Sequence, residues 1–233
     1  MRAGRFDKSV VLIAGGTGAL GRAVVEGFLR EGAHVVTTYR SAARLEALRT
    51  SLGEMSEHLR GCAVDLSDEV ATRAEIARVA DRLDILVNTI GGYAGGTNAW
   101  ETDGAVLEHL LSLNVRALHT LLRAVVPIML KRNQGCIINV AAKAGIAHPP
   151  HAAAYAASKA AALAMTASVA AELTGTGIRA NSILPSTIDT EANRNAMPKA
   201  DSSKWVPPEQ IAEVIRFLCS PAGRTVRGAE IVL

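Results

Sequence analysis

Short apolar runs alternate with longer amphipathic segments along the whole chain. The short runs hold four to seven residues rich in β-branched side chains, as buried strands do, whereas the longer segments follow a helical pattern. Gly, Pro or Ser stands at most junctions between them. The pattern predicts seven strands, at 10–14, 34–38, 61–64, 84–88, 136–140, 178–184 and 230–233, and helices at about 19–31, 42–51, 68–81, 104–132, 152–173 and 208–219.

This alternation predicts the α/β fold class. Strands and helices that follow each other at this pitch form a doubly wound parallel sheet, here of about seven strands, with helices on both faces. The 233 residues contain no linker-like or low-complexity stretch, so we interpret residues 1–233 as a single domain. Ligands of such sheets bind beyond the carboxyl ends of the strands, and the loops after the strands should therefore carry the site.

Composition and charge narrow the class of partner. Hydrophobic residues make up 49% of the chain and aromatic residues only 3%, which indicates a core of Ala, Val, Leu and Ile. The 25 basic and 22 acidic residues are scattered, with a formal net charge of +3, so no nucleic-acid surface is expected. We expect the partner to be a small-molecule substrate.

Cysteine usage and apolar run lengths predict the location. Cys62, Cys136 and Cys219 are widely spaced and form no metal-ligand cluster, which fits a reducing compartment. The apolar run at 10–14 is too short for a signal peptide, and no stretch reaches the roughly 20 apolar residues of a membrane-spanning helix. The sequence thus predicts a cytoplasmic protein with no membrane partner and no metal.

The loop after the first strand, AGGTGALGRA, is rich in glycine and opens a helix. Glycine lets the backbone turn tightly and approach a pyrophosphate, whose charge the helix N-terminus stabilises. A merely tight turn would have the same composition, but the strand–turn–helix context favours a dinucleotide site. The candidate contacts in this loop are Gly15, Thr17, Gly18, Leu20 and Gly21.

The end of the second strand predicts which dinucleotide is bound. An acidic residue that would bind a ribose is absent at Tyr39, and Arg40 follows. A planar guanidinium can pair with the oxygens of an adenosine 2′-phosphate and stack on a purine. The sequence therefore favours NADP, with NAD as the alternative cofactor. A solvated arginine at a helix start is the other explanation of Arg40.

A tyrosine and a lysine lie four residues apart in the helix predicted at 152–173. This spacing places Tyr155 and Lys159 on one helix face, and a neighbouring ammonium favours the phenolate of a tyrosine. Asn114 lies in the middle of the apolar helix predicted at 104–132, where an amide carries a propensity cost. A functional role and a satisfied buried amide both explain it.

Taken together, these motifs resemble the short-chain dehydrogenase/reductase family, of Rossmann-type fold, over nearly the whole chain. The glycine turn is similar to the family's TGxxxGxG, residues 88–91 to its NNAG, and residues 185–190 to its PGxxxT, with Ser in place of Gly. The resemblance implies that Tyr155 is the general acid/base, that Lys159 holds the nicotinamide ribose and lowers the pKa of the tyrosine, and that Asn114 belongs to a proton relay. It extends the cofactor contacts to Asp65, which a turn or helix cap explains equally well, and to Leu66, Asn88, Lys159, Pro185, Ile188 and Thr190.

The family's catalytic serine, 13 residues before the tyrosine, is replaced by Ala142. Removing one donor from a developing oxyanion typically costs about 10²- to 10³-fold in rate, so simple carbonyl reduction should suffer unless another group donates. Lys143, His148 and His151 lie nearby in sequence and are candidate replacements, although such residues are more commonly on the surface.

One branch of the family, the dihydropteridine reductases, resembles this chain in GGTGALG, GGYAGG, AAKAG and LPSTIDTEANRNAMP. These enzymes also lack the serine, because a quinonoid pterin takes hydride into a conjugated ring. The resemblance makes Tyr93 and Ala142 candidate substrate contacts, although Tyr93 is explained equally well as an ordinary aromatic residue. The branch commonly prefers NADH and carries an acid at the second strand, unlike Tyr39 and Arg40 here.

The leading hypothesis is an NADPH-dependent reductase of a pterin-like or other conjugated ring. The alternatives are a carbonyl or 3-oxoacyl thioester reductase with a substitute for the serine, and an inactive nucleotide-binding regulatory protein. We also expect a homodimer or homotetramer built on the helices near 104–132 and 152–173, because the second of these is rich in alanine and permits close helix packing.

Overall fold

Residues 4–233, the part of the chain that the computed structural model describes, contain one seven-stranded parallel sheet. The strand order is β3-β2-β1-β4-β5-β6-β7, so the order reverses between β1 and β4, where ligands of such sheets bind. The predicted fold class is confirmed. The strands are β1 Val10–Ala14, β2 His34–Tyr39, β3 Leu59–Ala63, β4 Ile85–Asn88, β5 Gly135–Val140, β6 Ile178–Leu184 and β7 Glu230–Val232.

The longer helices lie where the apolar pattern predicts them, with ends that agree to within about two residues. The pattern did not predict the shortest ones, because four to six residues hold too little periodicity. The helices are α1 Ala19–Arg30, α2 Ala42–Leu52, α3 Glu69–Val79, α4 Gly104–Leu111, α5 Ala117–Leu130, α6 Ala144–Ala147, α7 Ala153–Glu172, α8 Glu191–Ala196 and α9 Pro208–Cys219.

The sheet is buried on both faces. Phe28 of α1 and Ile215 of α9 belong to the hydrophobic core on one face, and Ile76 of α3 and Leu121 of α5 belong to the core on the other. All six residues of β5 are buried, as expected for a central strand of a parallel sheet. The buried strands lead into the loops at the carboxyl edge of the sheet, where the candidate site lies.

The helix predicted at 104–132 is not continuous α-helix. Five residues between α4 and α5, Ser112–Arg116, form a π-helical turn that carries Asn114. Single π-turns often occur at functional sites because they widen the helix and redirect a side chain. Contrary to the expectation from the sequence, the stretch 104–130 is apolar and long enough to cross a bilayer. Its most apolar part is half buried inside the protein, however, as in core helices.

A chain of buried amides joins the ends of β4 and β5 to α7. Asn88 accepts a hydrogen bond from the backbone of Ile90 (3.1 Å) and donates one to Asn139 (3.0 Å). Asn139 in turn donates to the hydroxyl of Thr166, at 3.1 Å. These bonds satisfy polar groups that would be costly to bury alone, and they hold the loop after β4 against the sheet.

Asn139→Ala should therefore destabilise the fold. The substitution leaves the Asn88 amide buried without its acceptor, and we expect the free energy of unfolding to fall by about 1–3 kcal/mol. Urea denaturation compares this variant with Asn195→Ala, an exposed position on α8 that should change stability by less than about 0.5 kcal/mol. Equal losses in the two variants would contradict a structural role for the amide chain.

Candidate active site

The glycine-rich loop between β1 and α1 forms a cradle for an anion. Gly15 has a φ of +85°, which favours glycine, and its N–H donates to the hydroxyl of Thr38 at 3.1 Å. A Cβ atom at Gly21 would collide with the carbonyl oxygen of Gly15, so α1 approaches the loop closely only because this residue is glycine. Gly18, directly before α1, provides no side-chain cap, which leaves the first N–H groups of the helix available to a phosphate.

Arg40 and Asp65 lie near each other beyond the ends of β2 and β3. Arg40 is exposed, and its charge contributes to the low pKa of Asp65, although the hydrogen bonds from Ser67 are the larger cause. Asp65 accepts the Ser67 N–H at 3.0 Å, so it stabilises the turn before α3 as the sequence allowed. Leu66, the next residue, is half-buried against the core.

Lys159 carries the most deeply buried charge of the candidate site. Its side chain, one turn beyond Tyr155 on α7, is 5% exposed, and its Nζ donates to the carbonyl oxygen of Val140 at a long 3.5 Å. Burial lowers the pKa of Lys159 to about 8. The group therefore remains mostly charged at pH 7 but titrates within reach of it.

The net pKa of Tyr155 is raised in this structure, and the expected lowering by Lys159 stays a prediction. The Lys159 Nζ lies 5.9 Å from the centre of the Tyr155 ring. Burial instead raises the pKa of Tyr155 to about 12, and the neighbouring Tyr93 adds to the shift. Burial penalises the phenolate, so the phenol is protonated at neutral pH.

Asn114 connects the loop after β4 to the helix that carries Tyr155. Its side chain accepts from the Gly92 N–H at 3.0 Å and donates to the hydroxyl of Ser158 at 2.9 Å. Ser158 donates in turn to the carbonyl oxygen of Tyr155 at 2.8 Å. A Cβ atom at Gly91 would lie 2.8 Å from Lys159 Nζ and 3.0 Å from Asn114 Oδ1, so this glycine leaves room for both groups.

Ser158 is a site residue that the sequence did not reveal. It is completely buried and, with Asn114, fixes the first turns of α7. The only indication in the sequence was its position directly before Lys159, and a single serine within a helix forms no recognisable motif. Thr38 was likewise missed, because its contact with the glycine loop depends on the pairing of β1 and β2.

Ala142 lies in the loop after β5 and is buried, with 7% of its surface exposed. The next residue, Lys143, donates its backbone N–H to the carbonyl oxygen of Pro185 at 3.0 Å, which ties this loop to the one after β6. The side chains of Lys143, His148 and His151 are exposed, and none of them hydrogen-bonds Tyr155 among residues 4–233. Whether one of them replaces the serine as a donor to the substrate stays a prediction.

Tyr93 lies beside Tyr155. The two rings meet edge to face, with centroids 5.0 Å apart and planes at 77°, and Tyr93 is 69% exposed. A cavity of about 300 Å³, here called the side recess, is lined by residues from 94–106 and 151–154, just before Tyr155. The two segments are joined by a hydrogen bond from Gly96 N–H to the carbonyl oxygen of His151, at 2.7 Å.

The remaining predicted contacts follow the ends of the central strands. Asn88 uses its side chain in the buried amide chain, and Pro185 is buried directly after β6. Ile188 is half-buried, and Thr190 caps the start of α8 by accepting the Asn193 N–H at 3.2 Å. The side chains of Asn88 and Thr190 thus have partners within the protein. The role of these four residues in cofactor binding stays a prediction.

Comparison with known proteins gives consistent matches. A family model described as short chain dehydrogenase matches residues 9–201. The D-threitol dehydrogenase of Mycolicibacterium smegmatis is 31% identical over 241 residues, covering 98% of this chain and 92% of that protein.

Two solved structures have similar folds. A 3-oxoacyl-[acyl-carrier protein] reductase from Brucella melitensis with bound NAD is 26% identical, with a TM-score of 0.88, covering 100% of this chain and 92% of the other. ElxO with NADP bound is 23% identical, with a TM-score of 0.91 and coverage of 97% and 96%, which is a likeness of fold alone. Since these two structures carry different dinucleotides, the similarity does not decide the cofactor preference. The resemblance to the dihydropteridine reductase branch stays a prediction.

Lys159→Met should stabilise the protein at pH 7. Because burial lowers the pKa of Lys159 from 10.5 to about 8, the unfolded chain binds more protons between these values, and wild-type stability should rise with pH across that window. The variant avoids burying a charge. We therefore expect its free energy of unfolding to exceed that of the wild type by an amount on the order of 1–3 kcal/mol at pH 7, and this difference should shrink towards pH 10.

Urea denaturation at pH 7, 9 and 10 without cofactor measures this difference. Lys199→Met, at an exposed position, serves as the control and should show no such pH dependence. A Lys159→Met variant that is less stable than the wild type at every pH would contradict the proposed cost of burying the ammonium.

Proposed function

The chain belongs to the short-chain dehydrogenase/reductase family, and we propose that it is an NADPH-preferring reductase of a planar conjugated ring, such as a pterin-like compound, with Tyr155 as proton donor. The observation that carries this proposal is the arrangement of Tyr93 and Tyr155, two aromatic rings in contact. Ala142, which stands where the family has its serine, is buried and apolar. A flat ring could pack against the exposed face of Tyr93 while receiving a proton from Tyr155.

The residues present fit a dinucleotide. The glycine cradle and the uncapped start of α1 suit a pyrophosphate, and Arg40 suits an adenosine 2′-phosphate. Lys159 would hold the nicotinamide ribose, as the family resemblance implies. When bound, the nicotinamide supplies the hydride.

Tyr155 is suited to donate a proton. A phenol with a pKa near 12 is protonated at neutral pH, so the acid form is present before the substrate arrives. The phenolate that remains after donation would lie near the Lys159 ammonium, whose positive charge favours it. Asn114 and Ser158 hold the start of α7, which fixes the position of the phenol relative to the ammonium.

Ala142 supports a ring substrate over a simple ketone. Hydride addition to a ketone develops a full negative charge on one oxygen, and a hydroxyl at this position would normally stabilise it. A conjugated ring spreads the charge over several atoms, so proton donation by Tyr155 alone can suffice.

The side recess, at about 300 Å³, is at the small end of the volumes found for ligand pockets.

The second candidate function is reduction of a carbonyl or 3-oxoacyl thioester. It is favoured by the relatives, which include a D-threitol dehydrogenase and a 3-oxoacyl-[acyl-carrier protein] reductase. The third candidate, an inactive nucleotide-binding regulator, is disfavoured by the contacts that keep Tyr155, Lys159 and Asn114 together. A regulator that only binds nucleotide has no chemical use for this arrangement.

Arg40→Ala should weaken NADPH binding by about 10- to 100-fold, the range expected when hydrogen bonds to a charged group are lost. NADH binding should change by less than about twofold, because NADH lacks the 2′-phosphate. Calorimetric titration of both cofactors measures the effect, with Arg49→Ala, further along α2, as the control. Equal wild-type affinities for the two cofactors, or unchanged NADPH binding in Arg40→Ala, would overturn the proposed preference.

Tyr155→Phe should lower turnover of quinonoid dihydropterin by at least about 10²-fold, because it removes the proton donor. Ala142→Ser should change that turnover little but raise activity on simple ketones, by at most about 10²- to 10³-fold if the new hydroxyl is ideally placed. Cofactor oxidation measures both, and Asn195→Ala, at an exposed position on α8, is the control. Full activity in Tyr155→Phe would exclude this mechanism, and activity that appears only with Ala142→Ser would favour the regulatory function.

A further inference from the structure

Two thiols and a buried arginine meet at the edge of the sheet opposite the candidate active site. Cys136 and Arg179, near the starts of β5 and β6, are register partners, so their side chains leave the same face of the sheet. Cys219 ends α9, and its Sγ lies 3.7 Å from the Sγ of Cys136.

The arginine of this cluster lacks a counter-ion. Arg179 is 8% exposed, and its Nη2 donates to the carbonyl oxygen of Ser220 at 3.5 Å. Its Nη1 is buried without a hydrogen-bond partner, and none of the ion pairs found within residues 4–233 includes it. A guanidinium remains charged at every physiological pH, so burying it without an anion is unfavourable. The two thiols are the neighbouring groups that can supply a negative charge.

The two cysteines differ in their readiness to ionise. The hydrogen bond between the two sulfurs, aided by the charge of Arg179, lowers the pKa of Cys136 against the effect of burial. Burial raises the pKa of Cys219 well above its ordinary value. The pair therefore combines a thiol that ionises more readily with a second thiol that stays protonated and can attack next. Cys62, by contrast, is a separate buried cysteine, and burial raises its pKa to about 12.

We propose that Cys136 and Cys219 form a site of oxidative modification, which a hydroperoxide converts into an intramolecular disulfide. The Cys136 thiolate attacks one oxygen of hydrogen peroxide, the O–O bond breaks, and protonation of the released hydroxide leaves water and a sulfenic acid on Cys136. The Cys219 sulfur then attacks the Cys136 sulfur, loses its proton and expels a second water molecule. Two thiols are oxidised by two electrons, and one peroxide is reduced to two waters.

The geometry favours this route over oxidation of isolated thiols. Cys136 is 3% exposed, whereas Cys219 is half-buried, so a small neutral oxidant would enter the cluster from the side of Cys219. The sulfurs need to close from 3.7 Å to a bond of about 2.05 Å. The bond would join α9 to β5 across 83 positions of the chain, so it would restrict the unfolded state strongly.

Peptide mapping of the reduced full-length chain tests the proposal. The protein is exposed to hydrogen peroxide, its remaining thiols are alkylated, and it is digested with trypsin without reduction. We expect a linked pair of peptides, 133–143 and 217–224, while Cys62 remains alkylated. Cys62→Ser should give the same linked pair at the same rate, and Cys219→Ser should abolish it and yield a dimedone adduct on Cys136.

A separate measurement tests the role of the Arg179 guanidinium. Arg179→Gln should slow formation of the linked pair by about 3- to 10-fold at pH 7, and the gap should close as the pH rises, because the thiolate then forms unaided. Circular dichroism of each variant confirms that it is folded. An unchanged rate in folded Arg179→Gln would overturn the role of the arginine. Loss of Cys136 and Cys219 thiols no faster than Cys62, or links formed only between chains, would overturn the whole proposal.

Discussion

The burial of one ammonium group sets the conditions for the rest of the candidate site. Lys159 lies in a nearly dry position, and the surrounding chain accommodates it: Gly91 has no side chain, and Val140 offers its carbonyl oxygen. Such a group opposes folding near neutral pH, so the sheet and its cores must supply the stability that it consumes. A buried charge that lowers stability is expected where binding and chemistry, rather than stability, determine the residue type.

The two halves of the candidate site are built in different ways. The glycine cradle is a backbone device, and its shape follows from residues such as Gly15 and Gly21 that permit a close approach. The chemistry around Tyr155 depends instead on side chains from several loops and helices. A change of substrate therefore requires new side chains around an unchanged nucleotide cradle, which agrees with relatives that act on a polyol and on an oxoacyl group.

The sequence predicted the sheet well because the strand signal is local. A run such as 10–14 is apolar, short and followed by glycines, and the structure places β1 there. The π-helical turn at Asn114 and the role of Ser158 could not be predicted, since both depend on contacts between segments distant in the chain. The raised pKa of Tyr155 could not be predicted for the same reason, since spacing along a helix gives the neighbours of a residue but not its depth of burial.

The π-helical turn also makes the site sensitive to chain length. A π-turn holds about one residue more than an α-turn, and one helical residue corresponds to about 100° of rotation. Loss of a single residue from Ser112–Arg116 would let α4 and α5 fuse into one regular helix and turn Asn114 away from Gly92 and Ser158. Substitutions can alter this region gradually, whereas a one-residue deletion would turn the helix face that carries Asn114 away from the candidate site.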